Sequence, residues 1–315
     1  MESTTRNKVR EYIVTEGDEL QRLDNLLIKI LKNIPKSHIY RIIRSGEVRI
    51  NKKRAKPENK VTLNDIIRIP PINNLVEEKI NNFIPTENFV TLYEDEYYLI
   101  INKPSKIACH GGSGVNYGII EQMRKTRTNL KFLELAHRLD RDTSGILILA
   151  KKRLALTKIQ ELIKTRQLKK NYLALVCGFI KENKKIIKLP LYKYNTKEGE
   201  RRVRVDHNNG VEAETIITLV EKFDKFTLLK ANIKTGRTHQ IRVHLQSIGH
   251  PIIMDDKYGL ESENKYSQQL GLKRMFLHAY EIEFIHPFSH NIINIKCELP
   301  EELTLFIHKI KIKNN

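Results

Sequence analysis

The sequence predicts an α+β protein built in two parts. Three observations lead there. Leu23, Leu26, Leu27, Ile30 and Leu31 recur at helical spacing, with short alternating strand patterns after them. A polar, asparagine-bearing stretch then sets this segment apart. Beyond it, apolar strand-like runs are interleaved with amphipathic helix patterns. A length of 315 residues suits two domains and a sizeable core.

The first domain is predicted over residues 12–72. Pro35 and Lys36 break the leucine-rich helix. A second helix follows from Ser37 to Arg44, with Ser37 as its N-cap. Ile39, Ile42 and Ile43 form its apolar face, while Lys36, His38, Arg41 and Arg44 line the other. Ser45-Gly46 ends it. Val48 and Ile50 alternate with Arg49 up to a turn at Asn51–Lys53, and further strands are predicted at Val61–Leu63 and Ile66–Ile69, stopped by Pro70-Pro71. A rigid helix face of Lys, His and Arg can clamp phosphates without reading bases. The plainer alternative is a solvated basic helix. Residues 73–88 read as a linker.

The second domain is predicted over residues 89–312. Leu92–Asn102 reads as two strands around Glu94-Asp95-Glu96. The run His110-Gly111-Gly112-Ser113-Gly114 has no G-K-[ST] after it, so it is a loop rather than a phosphate cradle. Next comes His137-Arg138-Leu139-Asp140-Arg141-Asp142-Thr143-Ser144-Gly145, which runs straight into Ile146–Leu149. A charged turn is thereby pinned to a buried strand. Neighbouring arginines favour the charged form of a carboxylate, which suits nucleophilic or base chemistry. The alternative is a solvated loop in which Asp142, Thr143 or Ser144 serves as a turn residue. An amphipathic helix follows over about Leu154–Thr165, then a strand over Lys169–Val176. Lys181–Asn209 is rich in charge and reads as a surface hairpin or insertion, Arg202 and Arg204 on one face and Val203 and Val205 on the other. The last informative run is Thr235–Leu245, read as an extended strand.

Composition narrows the function. Lys and Arg total 56 against 37 Asp and Glu, a formal charge of +19. Such a balance favours a polyanionic partner, although a general Lys, Ile and Asn bias accounts for part of it. Cys109, Cys177 and Cys297 are far apart, so neither a zinc site nor a disulfide framework is indicated, and buried reduced thiols are expected. The histidines show no H-E-x-x-H spacing, and no metal site is expected. The polar first twelve residues and the lack of a long apolar run point to a cytoplasmic protein without membrane contact.

Three stretches together resemble the pseudouridine synthases that act on large-subunit ribosomal RNA. Residues 137–145 resemble the family's H-R-L-D-x-x-T-S-G signature, residues 170–174 its K-x-Y-x-A motif, and residues 235–245 its T-G-R-T-H-Q-I-R-V-H-L motif. The two helices and small sheet of the first domain resemble the alpha-L RNA-binding module. The resemblance implies a mixed, mainly antiparallel sheet with flanking helices, preceded by that module. It implies isomerisation of uridine to pseudouridine without a cofactor, by a monomer whose partner is large-subunit ribosomal RNA. Asp140 matches the catalytic carboxylate, Tyr172 the ring that stacks on the flipped base, and Arg242 the arginine expected to fork onto Asp140. Arg237 is the alternative partner and otherwise an RNA contact; Arg138 would fill the gap left by the flipped base. Lys36, His38, Arg41 and Arg44 would bind RNA. Two other classes remain. A non-catalytic RNA-binding or assembly factor would not need Asp140, Tyr172 and Arg242 together. A glycosidase-like hydrolase would usually need a second well-placed carboxylate.

Overall fold

The computed structural model describes residues 9–31, 34–72, 86–111, 117–196 and 198–312. They form two compact units. Most of the proposed linker and residues 112–114 of the 110–114 run lie outside the described residues.

The first unit contains β1 (Arg10–Ile13), α1 (Leu23–Ile30), α2 (Lys36–Arg44), β2 (Arg49–Ile50), β3 (Lys53–Arg54) and β4 (Ile66–Ile69). Its antiparallel sheet runs β1-β4-β2-β3. Leu23, Leu26 and Leu27 pack with Ile39, Ile42 and Ile43 in one core, so the helical spacing in the sequence became a buried stripe on each helix. Asn51 and Lys52 both take positive φ, which matches the twist of the β2–β3 hairpin. Two expectations need correction. Ser37 does not cap α2; Pro35 holds that position, its extended backbone and missing N–H suiting a helix start. Val61–Leu63 is not a strand, because Val61 exchanges backbone hydrogen bonds with Leu20 and Gln21 instead of with the sheet.

The second unit comprises β5 (Val90–Glu94), β6 (Tyr98–Lys103), α3 (Ile119–Thr126), β7 (Glu134–Leu135), β8 (Ser144–Ala150), α4 (Arg153–Lys164), β9 (Lys169–Cys177), β10 (Lys184–Lys188), β11 (Leu191–Asn195), β12 (Arg201–Val205), β13 (Glu214–Lys222), β14 (Phe226–Ile233), α5 (Gln240–Ser247), α6 (Glu261–Gln269), β15 (Leu277–Ile285), β16 (Ile292–Lys296) and α7 (Glu301–Ile312). The main sheet runs β10-β13-β14-β9-β15-β8-β6-β5, with β16 on β15 and β7 on β8. The pairing of β15 with β8 is parallel and the other pairings are antiparallel, so the sheet is mixed and mainly antiparallel. All seven residues of β8 are buried, as its unbroken apolar run requires of a central strand covered on both faces. The charged 181–209 stretch yields the β11–β12 hairpin, and Val203 turns inward onto Leu191 and Val243.

The strand expected over 235–245 is absent: this run is a loop leading into α5. Its alternation of Gln240, Arg242 and His244 with Ile241, Val243 and Leu245 imitates a strand pattern. All six are buried, because the polar three find hydrogen-bond partners inside. A helix covered all round carries no apolar stripe for the sequence to display.

Candidate active site

The signature turn is held by groups that reach its backbone from neighbouring segments. Lys103 is fully buried at the end of β6 and donates to the carbonyls of Pro104 (2.7 Å) and Arg141 (3.0 Å). Burial pushes its ammonium down to about 8. Ser105 Oγ donates to the Asp142 carbonyl at 2.9 Å, and the Cys109 thiol lies against the Leu139 amide and carbonyl at 3.2 and 3.3 Å. The Thr143 amide closes the turn on the Asp140 carbonyl. Directly after it, Gly145 takes φ +107°, and a Cβ there would stand 2.2 Å from the Ala279 carbonyl oxygen. This close approach lets β15 run parallel beside β8 at the turn.

Asp140 thus stands at the wall of an open cleft of about 1800 Å³ with 27% of its side chain exposed. That volume exceeds the roughly 300–1,000 Å³ of small-molecule pockets and suits a polymer. Arg242 Nη1 donates to Asp140 Oδ2 at 3.2 Å across 102 residues of sequence. Its fork, however, closes on a different carboxylate: Nε and Nη2 each donate to Asp255 at 2.7 Å, and Nη2 also reaches Asp256 at 3.2 Å. The expected bidentate Arg242–Asp140 pair is therefore corrected to a single contact. Asp255 is wholly buried and so takes the desolvated fork, and Asp140 keeps one oxygen, Oδ1, without a hydrogen-bond partner among the described residues. Burial opposes the charge of Arg242, but its carboxylate partners outweigh burial and raise its pKa.

Helix α5 aims Arg242 through Gln240. The Gln240 side chain accepts from Thr235 Oγ1 and the Arg237 amide and donates to the Glu214 carbonyl and Thr215 Oγ1. Before it, His239 adopts φ 52°, donates or accepts at Tyr258 Oη (2.8 Å) and lies 4.0 Å from Asp140. Burial lowers the His239 pKa, with Asp140 pulling the other way. Tyr258 backs the guanidinium of Arg242 at 5.1 Å from its ring centre.

The other residues singled out from sequence distribute as follows. Tyr172 on β9 is buried in the same cleft wall, and burial raises its phenol well above the usual range. Arg138 is exposed at the cleft, its side chain without an ion pair among the described residues. Arg237 also lines the cleft but donates its Nε to the Glu212 carbonyl and makes no ion pair with Asp140. In the first unit, Lys36, Arg41 and Arg44 are exposed on α2 and His38 is half-buried, its ring 3.2 Å from Arg41. Sequence reasoning assigns no role to Asp255, Lys103, Lys170 or His239. Asp255-Asp256 is visible as an acidic pair after Gly249–Ile252, but nothing in the sequence says that one member is buried. Among the described residues no cluster of His, Cys, Asp or Glu could hold a metal ion, and no helix is long and apolar enough to cross a membrane. All three cysteines are free and buried.

Known proteins with this arrangement are informative. The RNA pseudouridylate synthase family matches residues 97–247, which hold Asp140, Tyr172 and Arg242, and the S4 domain matches residues 21–67. Ribosomal large subunit pseudouridine synthase C of Pasteurella multocida is 47% identical over 308 residues, covering 96% of this chain and 94% of that one. The enzyme of the same name from Haemophilus influenzae is 44% identical, covering 98% of each chain. Among solved structures, human RNA Pseudouridylate Synthase Domain Containing 1 superposes with a TM-score of 0.56 at 25% identity, covering 70% of this chain and 86% of that one. Likeness of this extent, running through both the S4 RNA-binding module and the catalytic sheet, means that the chain belongs to the RNA pseudouridylate synthase family, in the branch of ribosomal large subunit pseudouridine synthase C.

Proposed function

We propose that this enzyme isomerises specific uridines of large-subunit ribosomal RNA to pseudouridine, with Asp140 as its reacting carboxylate. The observation that carries the assignment is the asymmetry at Asp140. One oxygen is held by Arg242 at 3.2 Å, the other has no hydrogen-bond partner among the described residues, and the partly exposed side chain lines a wide cleft. A carboxylate oriented by one buried cation and open on its other oxygen is prepared to attack the sugar or to take one of its protons. The glycosidic bond from C1′ to N1 breaks, the uracil turns, and C1′ bonds to C5; the C5 proton is lost and N1 gains one. Tyr172 supplies a ring against which a base taken out of its stack can rest. Arg138, free at the cleft, fits the gap that such a base leaves, and Arg237 fits a phosphate at the rim. The basic face of α2, with Lys36, His38, Arg41 and Arg44, would track the RNA backbone. The names of the relatives support ribosomal RNA as substrate. We assign the enzyme to the cytoplasm as a monomer working without a cofactor.

The test is Asp140→Asn on transcribed large-subunit ribosomal RNA. Wild-type enzyme should form pseudouridine at defined positions mapped by chemical labelling. The variant should form none, at least a thousandfold below wild type, while still binding the transcript. Near-normal turnover by the variant would remove Asp140 from the chemistry.

A further inference from the structure

Lys170 is a buried cation that the fold does not use. It lies on β9 with only 7% of its surface exposed, yet its ammonium makes no hydrogen bond and no ion pair among the described residues. The contrast with Lys103 is instructive, because that buried ammonium is satisfied by two carbonyls of the signature turn. Lys170 instead lines the cleft. Strand alternation sets it on the same face of β9 as Tyr172, two residues and roughly 7 Å along. Gly236 lies beside Lys170: a Cβ there would stand 3.7 Å from Nζ, at ordinary contact distance, so the approach left to the ammonium is from the cleft that both residues line.

We propose that Lys170 is a phosphate-binding residue of the cleft, its ammonium taking a backbone phosphate next to the uridine held by Tyr172 and Asp140. The inference rests on the reading under Proposed function for the identity of that uridine. Lys170 Nζ is not among the fully enclosed unpartnered polar atoms, so its tip reaches the cleft, where a poorly solvated cation is stabilised when an anion meets it. Burial has pushed Lys170 down to about 8, so the free protein holds this charge weakly and a bound anion would stabilise it. In a uridine within an RNA chain the anionic groups are the phosphodiesters. The carbonyl oxygens of uracil are neutral and would leave the ammonium uncompensated. The stride from Lys170 to Tyr172 is also of the order of the separation between a nucleotide's base and its phosphate.

Phosphate-ethylation interference on transcribed large-subunit ribosomal RNA tests this, with the modified uridines mapped on the same transcript. For wild-type protein, ethylation of a phosphate adjoining a modified uridine should block binding. For Lys170→Met the block at that phosphate should vanish while the rest of the interference pattern stays, and for Lys170→Arg it should persist. Affinity of the methionine variant should fall about tenfold, and the slope of log affinity against log salt should shrink by about 0.7, as for one single-strand phosphate. Lys170→Gln gives the same reading should the methionine variant not fold. An interference pattern identical to wild type in Lys170→Met or Lys170→Gln would overturn the proposal, as would a uniform loss at every phosphate. Absence of pseudouridine from the wild-type reaction would instead overturn the functional reading, and the comparison of interference patterns would still decide whether Lys170 meets one phosphate.

Discussion

At the scale of single residues, Asp140 and Asp255 share one arginine but live under different conditions. Asp255 is fully buried, takes both arms of the Arg242 fork and also accepts from the Lys257 and Tyr258 amides. Asp140 is partly exposed and takes one contact. Removing one member of a buried pair leaves an uncompensated charge, so Asp255→Ala should lower unfolding stability by about 3–5 kcal/mol. Asp140→Ala should cost no more than about 1 kcal/mol, the worth of a partly exposed pair. Urea denaturation of the two variants decides this; equal losses would mean that the fork is not what holds Arg242. Arg242→Lys keeps the charge but cannot serve both carboxylates, and turnover should drop by about a hundredfold. His137 offers a test in pH. Burial, reinforced by the nearby Lys170 ammonium, pushes it down to about 3, and its Nε2 accepts from the Ile148 amide at 3.3 Å. A neutral histidine of this kind binds fewer protons folded than unfolded between pH 3 and its ordinary 6.5. Stability from this group is therefore complete above pH 6.5 and is lost as pH falls toward 3. His137→Gln should flatten the fall of the denaturation midpoint across that window, and an unchanged slope would refute the assignment.

At the scale of elements, the signature turn depends on how β8 meets β15. Gly145 is the pivot, because its φ of +107° and its contact with the Ala279 backbone leave no room for a side chain. Gly145→Ala should destabilise the second unit by about 3 kcal/mol or more, from a strained backbone and a forced separation of the two strands. A thermal unfolding midpoint within one or two degrees of wild type would show that the strands can part without cost. The register of these strands also sets side-chain contacts across them: Ser144, adjacent to Gly145, lies 2.7 Å from His278 Nδ1 and accepts from Arg274 at 2.8 Å. Arg274 in turn reaches Glu302 on α7 at 3.1 Å. The signature is thus braced from β15 and α7, which come last in the chain.

At the scale of the molecule, a chain of formal charge +19 folds into two units, each with a hydrophobic core of its own. The first core draws on α1, α2 and β4 together with the loops between them, the second on β9, β14 and α7. All the site residues around Asp140 belong to the second unit. Removing residues 1–72 should therefore weaken binding to ribosomal RNA and reduce its salt dependence while the strand signal in circular dichroism persists. Collapse of that signal would show that the second unit needs the first to fold, and unchanged RNA affinity would remove the module from substrate binding.

The leucine and isoleucine spacing of α1 and α2 and the unbroken apolar run of β8 are legible because each is local, set by a backbone period and by burial. So is the alternation in β12. The nine-residue signature at Asp140 and the run containing Arg242 likewise point to the candidate site by their residues alone. Tertiary structure alone decided how they meet. The alternation in 240–245 reads as a strand, yet these residues form α5, because Thr215, Leu189, Glu214 and Asp255 satisfy its polar side chains from outside the helix. Which carboxylate receives the guanidinium fork is hidden in the same way. That choice follows from burial: Asp255 is enclosed by the turn that folds Lys257, Tyr258 and Asn264 back onto it beside α5, and no run of apolar residues around it records that.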